Sequence, residues 1–181
     1  MKPTEWGPKI WYLIHSVAYN IDDDLYFNQY KNSYFQFYES LKSIIPCPIC
    51  RGHFTGIMKK KDIYKCKTKN DLIIWTINKH NKVNSRLKKK NISIKTSNSI
   101  YKKVNNKTIY KALDILTFNS QMKLQLKSYK NFFESIRVTL PIKHLRHLYI
   151  KAMEKNNIKV TSHNSLVKWY INLGKYISKT K

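Results

Sequence analysis

The chain has 181 residues, with 35 Lys and Arg against 10 Asp and Glu for a formal charge of +25, and 42% of its residues are apolar. That apolar share supports a packed core despite the charge, while 4 Gly and 5 Pro exclude collagen-like and Gly/Pro-rich chains. No run approaches the ~18 unbroken apolar residues of a membrane span, no secretory leader pattern opens the sequence, and 3 Cys are too few for a disulfide scaffold.

Helical periodicity dominates from the start. Pro8 suits a first helical turn, and Ile10, Ile14, Val17 and Ala18 form one apolar stripe, predicting a helix over about Gly7 to Tyr19. Asp22, Asp23 and Asp24 suit a helix start. Tyr26, Tyr30, Tyr34, Phe37, Leu41 and Ile45 then follow at helical spacing, so one helix should run to Pro46. A third helix begins at Cys47-Pro48-Ile49-Cys50 and runs toward Met58. A fourth, capped by Asn70 or Asp71, carries Leu72, Trp75, Val83 and Leu87. Lys88 to Asn106 reads as a polar loop with one short helix around Ser99 to Val104.

Beyond it, Thr108 is the expected cap of a helix with Ile109, Leu113, Leu116, Met122 and Leu126, broken before Phe132 and Phe133. Pro141 opens another with Leu145, Leu148 and Met153. Thr161 or Ser162 caps the last, with Leu166, Trp169, Tyr170, Leu173 and Ile177. Charge divides the chain too. Through Met58 five bases balance five acids, so the whole surplus falls between Lys59 and Lys181. Such a surplus suits nucleic acid, acidic proteins or a membrane surface. An A+T-rich genome supplies the same Lys, Asn and Ile richness, and the composition leaves both readings open.

Cys47 and Cys50 carry the chemistry. A Cys-x-x-Cys at a helix N-terminus has free amides and a helix dipole that favour a thiolate, and its spacing lets the sulfurs close into a disulfide. Zinc is the competing use, with His53 and Cys66 completing a tetrahedral set on a basic nucleic-acid-binding module. On the first helix Gly7, Trp11 and His15 recur every four residues, about 40° apart around the axis, with Tyr19 continuing the line. The fourth helix adds His80, Asn81 and Asn84, polar groups that need partners if buried. His144 and His147 sit one turn apart and provide two ligands, short of a metal site.

Three motifs in register resemble the flavin-linked sulfhydryl oxidases of the Erv/ALR family: Trp6-Gly7-Pro8 with Trp11 and His15; Cys47-Pro48-Ile49-Cys50 with His53; and Trp75 followed by His80-Asn81-x-Val83-Asn84-x-Arg86-Leu87. The likeness covers roughly residues 5 to 104 and is nearest to compact viral members. It implies a four-helix bundle plus a short fifth helix; the apolar spacing beyond about Asn105 adds a C-terminal helical region, for an all-α fold throughout. The division is 1–104 for the FAD-binding oxidase domain and 105–181 for a basic extension of unknown role. By the same resemblance FAD is held by Gly7, Trp11, His15, Tyr19, His53, His80, Asn81, Val83, Asn84, Leu87 and Lys88, with Tyr101 a weaker match, and no metal is needed.

The implied activity oxidises protein dithiols to disulfides and passes the electrons to O2, giving hydrogen peroxide. Cys47 meets the partner's thiol and Cys50 faces the flavin. The expected partners are a dithiol protein, including a thioredoxin-like relay protein, and a second copy in a homodimer; nucleic acid binding through the basic C-terminal region has no motif behind it. The resemblance places the protein in host cytoplasm or virion. Unlike many relatives of this kind the sequence has no second Cys pair, so either the partner reaches Cys47 directly and Cys66 is solitary and dispensable, the favoured expectation, or Cys66 pairs between chains.

Overall fold

A computed structural model describes residues 2–58, 61–119, 125–158 and 160–179, and among them no strand forms. The first helix, α1 (Pro3–Tyr19), starts earlier than its apolar stripe suggests, because Pro3 fills the first turn and the Glu5 carboxylate accepts the Lys2 amide at 3.1 Å. The single helix expected up to Pro46 is two, α2 (Asp24–Gln29) and α3 (Lys31–Ile44). At Tyr30 the backbone leaves helical geometry, with φ −109° and ψ 18°. Its amide closes α2 on the Tyr26 carbonyl and its own carbonyl opens α3. The break turns buried Phe27 onto Tyr34 and Phe35, at 5.6 and 6.3 Å between rings. No Gly or Pro marks it, and Asn28, Asn32 and Ser33 are the only turn-favouring residues near it.

Ile45, extended as a residue before proline must be, ends α3 and leads into α4 (Pro48–Met58). After a short 3-10 turn at Asp62–Lys65 comes α5 (Lys69–Arg86). Its cap is Thr68 rather than Asn70 or Asp71: the Thr68 hydroxyl accepts the Asp71 amide at 3.1 Å, and the Asp71 carboxylate accepts the Thr68 amide at 2.9 Å. The short helix α6 (Ile94–Tyr101) lies earlier than expected because Ser93 caps it. Together α1, α3, α4, α5 and α6 make the expected bundle with a short fifth helix. Tyr38 ties three of them together, its hydroxyl donating to the Ile14 carbonyl at 3.0 Å and its ring meeting Trp75 edge-on at 5.1 Å.

In the C-terminal half, α7 (Asn106–Phe118) is capped by Asn105 rather than Thr108. The expected continuation through Met122 lies outside the described residues. Here α8 (Leu126–Thr139) runs unbroken through Phe132 and Phe133. After Pro141 a 3-10 turn at Lys143–Leu145 precedes α9 (Arg146–Lys155), and Ser162 caps α10 (His163–Lys179), its hydroxyl accepting the Ser165 amide. These helices dock on the bundle: α7 lies along α1 and α8 along α3. Phe132 stacks on Phe37 at 5.5 Å, and Gln36 donates to the Asn131 carbonyl at 2.9 Å. Residues 1–104 and 105–181 therefore share one continuous hydrophobic core.

Candidate active site

Cys47 immediately precedes α4, where the chain has left extended Ile45 and Pro46 and the first helical amides lack intrahelical acceptors. Its sulfur fills that need by accepting the Cys50 amide at 3.2 Å, while its carbonyl accepts the Arg51 amide at 2.9 Å. Both thiols are free and half-buried, and Ile49 between them is 72% exposed. Burial opposes ionisation of Cys47. Hydrogen bonds from the Cys50 thiol and the Cys50 and Ile49 amides, with the Arg51 charge, outweigh it and bring Cys47 below the ordinary thiol range.

Cys50 goes the other way, pushed up to about 11 by burial and then by its bond to Cys47 and that sulfur's charge, with Arg86 pulling against them. In the dithiol state Cys47 is thus the better thiolate, and Cys50 holds the shared proton.

An aromatic cluster built from α1, α5 and α6 meets α4 at Phe54. Phe54, one turn after Cys50 on α4, meets Trp11 edge-on at 6.3 Å. Trp11 in turn stacks on His80 at 4.1 Å with the planes 1° apart, and His15 stacks on Tyr101 at 4.2 Å and 13°. The two imidazoles are linked, His15 Nε2 lying 2.9 Å from His80 Nδ1, and His15 Nδ1 lies 3.1 Å from the Thr76 hydroxyl. That hydroxyl donates to the Ile73 carbonyl at 2.8 Å, so it must accept from His15 Nδ1–H. His15 Nε2 is then an acceptor and His80 Nδ1–H the donor to it. The assignment needs a neutral His15, and the surroundings keep both rings in that form. Burial and then His80 hold His15 well below its usual range, and burial with Lys89 lowers His80 to about 4.

Of the remaining expected residues, Tyr19 meets this cluster, its ring 6.2 Å from that of Tyr101. The Tyr19 hydroxyl donates to Ser97 at 2.9 Å on α6. At Gly7, one turn before Trp11, an added Cβ would meet nothing within 4 Å. Asn81 pairs with both backbone groups of Ile92, at 2.9 Å each, and Asn84 donates to the Lys90 carbonyl at 3.3 Å, so both amides pin the chain leaving α5. Val83 is half-buried, Leu87 is 49% exposed, and exposed Lys88 takes a left-handed φ of 54° as the chain turns away. His53 is exposed.

Sequence reasoning missed Phe54 and Thr76, although each lies four residues from a chosen residue, Cys50 and His80. It also missed Asp62, whose carboxylate accepts from Trp75 Nε1 at 2.8 Å and from Lys79 at 2.7 Å. Lys79, 2% exposed, donates as well to the Ile57 carbonyl at 2.8 Å. This pair borders an open groove of about 510 Å³ along α5, lined by Trp75, Asn78, Lys82 and Ser85 among others.

The zinc reading fails on geometry. Among the described residues no group of three or more His, Cys, Asp and Glu is placed to hold a metal ion. Cys66 is instead buried in the core, where burial pushes its thiol up to about 11.

Comparisons with known proteins agree with the geometry. The model of the Erv1 / Alr family matches residues 8–111. An African swine fever virus protein named "FAD-linked sulfhydryl oxidase" is 33% identical over 104 residues, 58% of this chain and 86% of its own. Similarly named proteins of Frog virus 3 and of Acanthamoeba polyphaga mimivirus are 30% identical over 101 residues and 31% over 88, covering 55% and 46% of this chain and 67% and 59% of theirs. No solved structure matches. With three motifs in register on one bundle and a family match across more than half its length, the chain belongs to the Erv1/Alr family.

Proposed function

We infer that this chain is an FAD-linked sulfhydryl oxidase that converts protein dithiols to disulfides at Cys47 and Cys50 and passes the electrons to O2, giving hydrogen peroxide. The observation that carries this reading is the placement of two unequal thiols at the start of α4, with Cys50 one turn before Phe54, whose ring meets Trp11 of the cluster that also holds His15, His80 and Tyr101. That ring set suits a flavin nucleotide. It offers flat faces and neutral imidazoles, the open α1 backbone at Gly7 admits a close approach, and Arg86 and Lys88 stand at the end of α5 to meet phosphate charge. Trp11, His15, His80 and Tyr101 would hold the rings, with Tyr19, Asn81, Val83, Asn84, Leu87 and exposed His53 as further candidates. When bound, FAD supplies the two-electron acceptor for the cysteine pair and the route to O2.

The chain's own residues account for the thiol exchange. A substrate thiolate attacks Cys47 of the Cys47–Cys50 disulfide: the substrate–Cys47 bond forms, the Cys47–Cys50 bond breaks, and Cys50 leaves with the electron pair and then takes a proton. Two of the influences that raise Cys50 come from Cys47, and both vanish once Cys47 is bonded to substrate, so Arg86 eases this departure. The second substrate thiolate then attacks the substrate sulfur of the mixed disulfide and expels Cys47. A sulfur held below the ordinary thiol range is the better leaving group for that step. The substrate has lost two electrons and two protons, and the enzyme pair has gained them.

Its partners are dithiol proteins, a thioredoxin-like relay protein among them, and its place is host cytoplasm or virion. This accords with viral relatives and with the lack of any described helix long and apolar enough to cross a membrane. Oxygen consumption with a dithiol tests the assignment. Cys50→Ser should abolish turnover while the protein keeps its flavin, and a Cys50→Ser enzyme with normal turnover would overturn it.

A further inference from the structure

Tyr101 is carried to the ring cluster by α6, and α6 has little packing to hold it there. Of its residues Ser97 and Tyr101 are buried, while Ile94 and Ile100 stay 54% and 44% exposed. So short a helix is marginal without a buried face, and its position depends on what fastens it. The fastenings come from α1. Tyr12, His15 and Tyr19 are spaced i, i+3 and i+7, which sets them on one side of that helix. The Tyr101 ring lies 5.6, 4.2 and 6.2 Å from theirs. Tyr12 also reaches the backbone. Its hydroxyl donates to the Lys103 carbonyl at 2.8 Å and accepts the Asn105 amide at 2.9 Å, so one side chain grips the bend between α6 and α7 on both sides.

We propose that Tyr12 is a positioning residue for the flavin: by pinning the chain as it leaves α6 it fixes Tyr101 against His15, on the face offered to the flavin rings. The proposal rests on the flavin assignment above, and Tyr12 acts through Tyr101 rather than on any reacting atom. The hydroxyl is the part that matters. It spends its donor and an acceptor position on backbone groups two and four residues beyond Tyr101, where any shift passes directly to the stacked ring. Asn20 supplies a second hold, its side-chain amide donating to the Tyr101 carbonyl at 3.3 Å, a longer bond than either made by Tyr12. The same grip joins the ring cluster to the C-terminal half. Asn105 caps α7, which lies along α1, so the basic extension anchors the far end of the strap that carries Tyr101.

Equilibrium binding of FAD to the flavin-stripped, full-length protein, read from the change in flavin fluorescence, tests the proposal. Tyr12→Phe keeps the ring beside Tyr101 and releases two backbone groups of exposed residues to water, so the variant should fold. Its FAD dissociation constant should rise about ten-fold, the size expected when one or two neutral hydrogen bonds no longer hold the site in order. The same substitution made on Tyr101→Leu should add less than about two-fold, because the ring that Tyr12 positions is gone. A Tyr12→Phe protein that binds FAD as tightly as wild type, or a Tyr12→Phe penalty repeated in full on Tyr101→Leu, would overturn the positioning role and leave the oxidase assignment standing. A wild type that takes up no FAD would overturn both.

Discussion

His80 should make the fold sensitive to mild acid, and the size of the effect follows from its surroundings. In the unfolded chain its imidazole titrates near 6.5, whereas in the folded protein burial and Lys89 lower it to about 4. Because the folded state binds the proton less readily, stability is complete above the unfolded value and declines as the pH falls through this window. Those two values imply a loss of about 2.5 kcal/mol between about pH 7.5 and about pH 4.5 from His80 alone. His15, lowered in the same direction, adds to it. The physical event is protonation of a ring stacked on Trp11, beside a second imidazole 2.9 Å away. Urea unfolding of flavin-stripped protein, followed by tryptophan fluorescence at a series of pH values, measures the slope. His80→Gln should flatten it markedly, and a variant with the wild-type slope would refute the neutral His15–His80 pair.

The two thiols of the reduced enzyme should alkylate at different pH: mass-mapped iodoacetamide labelling gives Cys47 a midpoint below that of an ordinary thiol and Cys50 one near 11, while a single shared profile contradicts the asymmetry. Phe132→Ala removes a fully buried ring stacked on Phe37, and denaturant unfolding should show a loss of about 3–5 kcal/mol. A loss below ~1 kcal/mol would mean that α8 is not part of the core. Cys66→Ser buries a hydroxyl in place of a packed sulfur, so it should cost about 1–3 kcal/mol in the same assay. Its dithiol turnover should stay near wild type, and lost turnover in the folded variant would give Cys66 a place in electron transfer.

The helical bundle was legible because its signals are periodic and local. Apolar stripes marked α1 and α5, the Cys pair marked the start of α4, and Pro46 marked the end of α3. What local signals could not supply was long-range packing. The α2–α3 break serves Phe27, whose partners lie on the next helix, and no Gly or Pro announces it. The start of α5 is legible in principle, since Thr68-x-x-Asp71 is a capping box, but Asn70 and Asp71 are themselves favoured cap residues and compete with Thr68 for the position. At the site, the i, i+4 spacing of Trp11 and His15 carried over into two rings on one face of α1, 5.9 Å apart, whereas the approach of His80 to both is long-range packing between helices. The roles of Asn81 and Asn84 in pinning Ile92 and Lys90 depend on a loop path that no pattern encodes. Nor could the sequence show α8 lying on α3, which joins residues about ninety-five positions apart, as in the Gln36 to Asn131 hydrogen bond.

The most direct measurement is an anaerobic titration of the purified yellow protein with a dithiol, followed through the flavin absorption band. The account predicts stoichiometric bleaching in the wild type, recovery of colour on admitting air, and a Cys50→Ser protein that stays yellow under the same dithiol. A colourless wild-type protein, or a Cys50→Ser flavin that bleaches as fast as wild type, would contradict it.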